Sequence, residues 1–198
     1  MKRMFDIIVS FSALIILIPV FIIISIWILL DSRGRIFYTQ KRVGRGNRDF
    51  IMFKFRSMHS GAETKGLLTV GSRDPRVSKA GYWLRKAKLD ELPQLLNILR
   101  GDMSFVGPRP EVRKYVDLYD DKQLKVLDVR PGLTDYASLK YIDENRMLEE
   151  SREPEKTYVE TIMPAKLKLN LHYIHDQSLL LDIRIIFKTI AGILRARH

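Results

Sequence analysis

Ile7–Leu30, IIVSFSALIILIPVFIIISIWILL, carries no charged residue over 24 positions and holds one proline, Pro19, near its middle. As one straight helix the run would be about 36 Å long, enough to cross a hydrocarbon core of about 30 Å. A secretory signal has an apolar region of roughly 7–15 residues and a small-residue cleavage site. This run is longer and ends Ile28-Leu29-Leu30-Asp31-Ser32, with no such site. Pro19 removes a backbone hydrogen bond and clashes with the preceding turn, so a break is expected there. The halves, Ile7–Ile18 and Val20–Leu30, would each be about 16–18 Å long, and neither spans alone. Lys2 and Arg3 precede the run; Arg33, Arg35, Lys41, Arg42, Arg45 and Arg48 follow it. Basic flanks favour the cytoplasmic side, so a through-span would strand one of them. A helix that bends at Pro19 and returns keeps both inside. Proline is also tolerated in spanning helices, so the residues alone leave kinked span and re-entrant hairpin both open.

Beyond Asp31 the composition turns basic and polar. The 198-residue chain has 34 Lys+Arg against 23 Asp+Glu, a formal net charge of +11, and 46% hydrophobic residues. That apolar share can bury a core and excludes a disordered chain. The absence of cysteine excludes disulfide scaffolds, Cys-ligated zinc, Fe–S clusters and thiol catalysis. A mean hydropathy of −0.10 averages over two unlike parts. The basic surplus points to an anionic partner: nucleic acid, a lipid surface or a phosphorylated substrate. A membrane segment beside that surplus favours the last two, and no helix-turn-helix or base-stacking motif stands out, so nucleic acid is not expected.

The expected fold is α+β, mainly α. Arg35–Arg42 and Asp49–Arg56, either side of Gly44-Arg45-Gly46-Asn47, read as a β-hairpin. Ser60–Ala80 reads as loop, Tyr82–Lys88 and Glu91–Arg100 as two helical pieces, and Glu111–Leu127 as a helix before a turn at Arg130-Pro131-Gly132. Lys166–His172 alternates Lys-Leu-Lys-Leu-Asn-Leu-His, the period of a strand. In the last stretch Ile183, Ile186, Phe187, Ile190, Ile193 and Leu194 fall within about 120° on a helical wheel, with Arg184, Lys188 and Arg195 on a separate basic face. Ile185 and Arg197 break that pattern. Such a helix suits an anionic leaflet or its own domain's core.

The chemistry concentrates at Leu84-Arg85-Lys86-Ala87-Lys88-Leu89-Asp90-Glu91-Leu92-Pro93-Gln94. Asp90 can cap a helix whose first turn holds Glu91 and Pro93. The same geometry suits catalysis: one carboxylate attacks phosphorus while its neighbour holds a divalent cation, and Arg85 neutralises phosphate. Arg109, fixed between Pro108 and Pro110, loses little entropy on docking a base or phosphate. Lys54-Phe55-Arg56-Ser57-Met58 reads as a strand with a wet basic face. His172 and His175 read as surface groups rather than metal ligands. P-loop, dinucleotide and nucleophile-elbow motifs are absent.

Five motifs in order carry a resemblance. They are Lys54-Phe55-Arg56-Ser57-Met58, Asp74-Pro75-Arg76, Leu89-Asp90-Glu91-Leu92-Pro93-Gln94, the stretch from Gly101 to Pro110 (GDMSFVGPRP), and Arg130-Pro131-Gly132-Leu133-Thr134. Together they resemble the bacterial sugar transferases, the monotopic phosphoglycosyl transferases, over essentially the whole chain. The length resembles the family's small form, a catalytic domain with its N-terminal membrane helix. The resemblance implies transfer of a sugar 1-phosphate from a UDP-sugar to polyprenyl phosphate with release of UMP, in two ping-pong steps with Mg²⁺. It implies Asp90 as nucleophile, Glu91 as Mg²⁺ ligand, Arg85 on phosphate, Arg109 of the Pro108-Arg109-Pro110 loop on the uridine portion, and Lys54 at the phosphates. It also implies a re-entrant helix broken at the proline (residues 1–33), a catalytic domain (34–198) on the cytoplasmic face of the bacterial inner membrane, contact with membrane lipids, and a role at the first step of surface-glycan assembly. A homodimer is left open. The chain departs from the family at Ile18, where serine is common before the proline, at Asp135-Tyr136-Ala137-Ser138, where Gly-Trp-Ala-Gln is commoner, and at Leu180, where Trp is frequent. Asp182 is read as a cap for the terminal helix. The competing class is a membrane-anchored protein without catalysis that binds anionic lipid or nucleotide; the intact Asp90-Glu91 pair and Arg109 argue against it.

Overall fold

The computed structural model describes residues 1–62, 74–141 and 144–195. Much of the loop expected at Ser60–Ala80, together with Arg197 and His198, lies outside these residues, as does the side chain of Leu194. The apolar run forms two helices, α1 (Lys2–Ile16) and α2 (Ile18–Asp31), bent by 60° at their junction. The break falls at Leu17, and Pro19 sits in the first turn of α2, where its missing N–H costs least. Leu17 still donates to Ala13 O at 2.9 Å, and Phe21 donates to Leu17 O at 2.9 Å. Backbone bonds thus carry the bend at a position where Ile18 has no hydroxyl to offer. No single helix among the described residues is long and apolar enough to cross a membrane, but this bent pair passes on length and composition together.

A hairpin follows, β1 (Phe37–Val43) against β2 (Asp49–Phe55), paired from Phe37 opposite Phe55 to Val43 opposite Asp49. This matches the expected segments. Its turn is closed by Gly44 N donating to Arg48 O at 2.8 Å. Next come α3 (Lys79–Lys86), α4 (Gln94–Arg100), β3 (Ser104–Val106), α5 (Arg113–Val116) and β4 (Gly132–Thr134), which runs parallel to β3. The chain ends with α6 (Tyr136–Lys140), α7 (Glu144–Glu149), α8 (Pro154–Thr157), α9 (Met163–His175) and α10 (Leu179–Arg195). The architecture is α+β and mainly helical, as expected.

Two expectations fail. The helix foreseen over Glu111–Leu127 stops at Val116. Asp120 Oδ1 accepts from both Lys122 N and Gln123 N at 2.8 Å, a local turn that competes with helix and restarts the chain as one short 3₁₀ segment, Gln123–Asp128. Lys166–His172 is helix, not strand. Within α9 the buried residues are Met163, Lys166, Leu167, Asn170 and Tyr173, a helical spacing in which two members are polar. Lys166 is buried with Glu144 (2.8 Å) and Asn170 with Asp135 (3.0 Å), so a hydrophobic pattern cannot see that face. The terminal amphipathic helix forms as α10, where Ile185, the residue that breaks the apolar wheel, is buried together with Asp182, whereas Leu180, Phe187 and Ile190 are 79%, 68% and 50% exposed.

The helix pair is welded to the body along one side. Ile24 and Ile28 of α2 pack with Phe55 and Leu84, and Ala13, Leu14 and Leu17 flank a core of Met52, Leu95, Ile98 and Met103. Asn97 of α4 locks this core to the hairpin, accepting from Phe53 N at 3.0 Å and donating to Ile51 O at 2.7 Å. The other side of the pair leaves Ile8, Phe11, Ile16, Ile23, Ile26 and Leu30 more than half exposed. A second core under α9, including Tyr115, Val126, Leu148, Ile162 and Leu167, supports the helical lobe.

Candidate active site

Lys88 adopts a left-handed conformation (φ 56°) and separates α3 from a 3₁₀ turn, Leu89–Glu91, that precedes α4. Asp90 lies within this turn, so the capping role fails: no side chain caps the turn or α4. The next expected residue, Lys54, comes from the far end of β2, and Arg109 from the loop after β3. They converge on Glu91. Lys54 Nζ donates to Glu91 Oε1 at 3.0 Å, and Arg109 Nη2 donates to the same oxygen. Asp90 and Glu91 are 6% and 8% exposed. No hydrogen bond joins the Asp90 carboxylate to the described residues. Arg85, half-buried in the last turn of α3, adds its charge on the Asp90 side.

The two adjacent carboxylates are driven apart electrostatically. Burial pushes the Asp90 carboxyl up; the Lys54 ammonium opposes this, and the Glu91 charge adds to it. Burial acts on Glu91 in the same sense, but Arg109 and Lys54 together outweigh it and hold that carboxyl well below the usual range. The Arg109 guanidinium is held charged, above all by Glu91. Burial lowers the Lys54 ammonium, with Glu91 working against the shift. Oppositely shifted neighbours divide labour: one fixed anion and one carboxyl whose charge is costly until a cation or reacting centre meets it.

The Arg109 loop is clamped from several sides. Gly132 N donates to Pro108 O at 3.0 Å, Gly107 N to Thr134 O at 3.1 Å and Val43 N to Glu111 O at 2.9 Å. A Cβ on Gly132 would sit 2.2 Å from Gly107 N, so this approach of two backbones requires glycine. Both prolines are buried while Arg109 is not. Arg42 of β1 donates to Pro110 O at 3.0 Å and lies 3.7 Å from Glu111. The sequence counted Arg42 only as a flanking charge; nothing in its context marked it as the strut behind Arg109.

Other expected features move to structural roles. Arg56 does not face water: it is 7% exposed and donates to Ile28 O (3.3 Å), Ser32 O (2.6 Å) and Arg33 O (2.8 Å), closing the C-terminus of α2. Asp74 and Arg76 pair at 2.6 Å. Asp135 is fully buried, accepting from Ser138 N at 2.7 Å and from Asn170 at 3.0 Å. Asp182 does not cap α10. Ser178 does, accepting from Leu181 N at 3.2 Å, while Asp182 accepts from Tyr173 Oη at 2.6 Å and from Lys2. His172 and His175 lie at the surface beside Asp176. Among the described residues no three His, Asp or Glu side chains cluster as a metal cage.

The family profile described as bacterial sugar transferase matches residues 1–196. The chain is 36% identical to the UDP-N-acetylgalactosamine-undecaprenyl-phosphate N-acetylgalactosaminephosphotransferase of Aeromonas hydrophila, over 98% of this chain and 43% of that protein. It is 34% identical to exopolysaccharide production protein ExoY of Sinorhizobium fredii, over 99% of this chain and 86% of that protein. With the undecaprenyl-phosphate glucose phosphotransferase of Komagataeibacter xylinus the identity is 38%, over 96% of this chain and 35% of that protein. The chain thus spans less than half of two of these relatives and most of the third. With the profile matched nearly end to end and the motif residues Lys54, Glu91 and Arg109 drawn together, the chain belongs to the bacterial sugar transferase family.

Proposed function

We propose that this chain transfers a sugar 1-phosphate from a UDP-sugar to polyprenyl phosphate, releasing UMP, at the first membrane step of surface-glycan assembly. The Aeromonas and Komagataeibacter relatives are named undecaprenyl-phosphate sugar phosphotransferases, which supports the reaction class. ExoY's role in exopolysaccharide production supports the setting. The observation that carries the reading is a pair of adjacent buried carboxyls, Asp90 and Glu91, with Lys54 and Arg109 both bonded to Glu91 and none of the described residues bonded to the Asp90 carboxylate.

In the first step an oxygen of Asp90 attacks the phosphorus that bears the sugar. An oxygen–phosphorus bond forms, the bond to the UMP oxygen breaks, and UMP leaves with that electron pair. In the second step a polyprenyl phosphate oxygen attacks the same phosphorus and displaces the Asp90 carboxylate. A carboxylate needs no deprotonation at neutral pH, and an anion approaching a diphosphate needs cations around it. Arg85, Lys54 and Arg109 supply three, with Arg109 extending toward the nucleoside. The Glu91 carboxylate offers the hard oxygen donors that Mg²⁺ takes, one or two carboxylates completed by substrate phosphate. When bound, Mg²⁺ would offset diphosphate charge. Glu91 would then loosen its grip on Lys54 and Arg109, freeing both for the phosphates.

The acceptor stays in the bilayer while the donor is soluble, so the reaction belongs at the cytoplasmic face of the membrane. The 60° bend and the exposed apolar side of α1 and α2 support a helix pair that enters one leaflet and returns. UMP release tests the reading, with UDP-glucose and UDP-N-acetylgalactosamine as donors and undecaprenyl phosphate as acceptor. Release that depends on the acceptor over many turnovers supports it. No release from any UDP-sugar with folded protein in detergent would refute it.

A further inference from the structure

A cleft of about 470 Å³ opens between α6 and α10, lined by Tyr136, Leu139, Lys140, Lys188, Gly192 and Arg195 among others. It takes no part in the chemistry above. Its walls are mostly apolar, and its cations are Lys140 on α6 with Lys188 and Arg195 on α10, all exposed. None of the three is ion-paired among the described residues. Three unpartnered cations over an apolar wall match one kind of ligand: an anion attached to a hydrocarbon.

The helical geometry of α10 says where that ligand comes from. Asp182, Ile185 and Thr189 face inward: the first two are buried, and Thr189 meets Thr134 at 2.7 Å. Phe187 and Ile190, with Leu180 before them, form an exposed apolar stripe on the opposite side. Arg184, Lys188 and Arg195 lie between the two faces by helical spacing. A helix resting on a bilayer by the Phe187–Ile190 side brings this basic flank to headgroup depth, where each cation gains about 1 kcal/mol near an anionic leaflet. The cleft opens on that flank. The foot of α10 is also tied to the foot of the membrane helix pair, because Lys2 bonds Asp182.

We propose that the α6–α10 cleft binds the phosphate headgroup of an anionic phospholipid, with Lys140, Lys188 and Arg195 on the phosphate and Tyr136 and Leu139 against the start of an acyl chain. The inference rests on the membrane-surface reading above but not on the transfer chemistry, so binding in the absence of a sugar donor separates the two.

The test uses the full chain in uncharged detergent micelles, titrated with phosphatidylglycerol and read by native mass spectrometry. Phosphatidylcholine and inorganic phosphate are run in parallel. A saturable one-to-one phosphatidylglycerol adduct is expected, with weak binding of the other two. Lys140→Gln with Lys188→Gln and Arg195→Gln should weaken it about a hundredfold, about fivefold per cation removed. Arg48→Gln with Lys122→Gln and Lys125→Gln, which removes three exposed cations elsewhere, should leave it unchanged. Equal loss in both triple variants, equal uptake of phosphatidylcholine, saturable capture of free phosphate, or no saturable adduct would each overturn the proposal. UMP release with a detergent-dispersed acceptor should survive the first triple, because none of its residues belongs to the Asp90 site.

Discussion

At the foot of α1, Lys2 donates to Val106 O (2.9 Å), to Tyr173 (3.1 Å) and to Asp182, while Asp6 accepts from Ser104 Oγ and Phe105 N, both at 3.2 Å. At the turn after α3, Lys54 and Arg109 both bind Glu91 while Asp90 beside it takes no hydrogen bond from the described residues. All four carboxylates are buried. In the first cluster both carboxylates already hold partners supplied by the fold. The second keeps one carboxyl in a low-dielectric place without the partners that would settle it. A satisfied buried network fixes structure, whereas a half-satisfied one persists where function needs it. The difference therefore separates the cluster that seats α1 on the body from the one proposed to do chemistry.

The largest effect should come from the unsettled carboxyl. Asp90→Asn is expected to cut UMP release at least a thousandfold while raising Tm rather than lowering it. The gain follows from the raised pKa: the fold disfavours ionised Asp90 at neutral pH, and asparagine carries no such charge. A loss of stability, seen by thermal melts, would contradict the contrast between the clusters.

Removing a settled carboxyl should do the reverse. Glu91→Gln leaves Lys54 and Arg109 without their anion and should destabilise by about 3 kcal/mol, as when one partner of a buried pair is deleted. The pH dependence follows from the sign of the shift. Because the folded pKa is depressed, Glu91 stabilises above its ordinary 4.5 and loses this contribution as pH falls through the lower folded value. The gap in stability between wild type and Glu91→Gln should therefore narrow under acid titration of denaturant midpoints and stay constant above pH 6.

In the first cluster, Lys2→Met should cost a similar ~3 kcal/mol by leaving Asp182 buried and unpaired, and the swap Lys2→Asp with Asp182→Lys should recover part of it. Equal stability of Lys2→Met and wild type would sink the seating role. The smallest effect is expected at Ser78, whose Oγ accepts from Gly81 N at 3.0 Å and caps α3. Ser78→Ala should cost about 1 kcal/mol in urea melts.

The parts of the molecule legible in sequence are those written in apolar pattern and backbone chemistry. Pro19 marked the bend to within two residues, the Gly44–Asn47 stretch marked the hairpin turn, and Pro108 and Pro110 marked a loop that cannot be helix. The illegible parts are those where polar groups are buried with distant partners. Lys166 and Asn170 disguise the inner face of α9, Ile185 sits on an inner α10 face that also carries Asp182 and Thr189, and Arg56 looks like a surface charge until Ile28 and Ser32 turn their carbonyls toward it. The site divides the same way. Asp90, Glu91 and Arg109 were readable as motif residues, but that Lys54 and Arg109 share one oxygen of Glu91, and that Arg42 braces the loop, depends on contacts between residues 18 to 68 positions apart.

The proposed nucleophile is tested most directly by intact mass spectrometry of the full chain incubated with UDP-glucose or UDP-N-acetylgalactosamine and no lipid acceptor. A wild-type species heavier by one sugar phosphate is expected, discharged when polyprenyl phosphate is added and absent from Asp90→Asn. An Asp90→Asn protein that acquires the same mass, or wild type that releases UMP to the acceptor without ever carrying it, would contradict a covalent intermediate on Asp90.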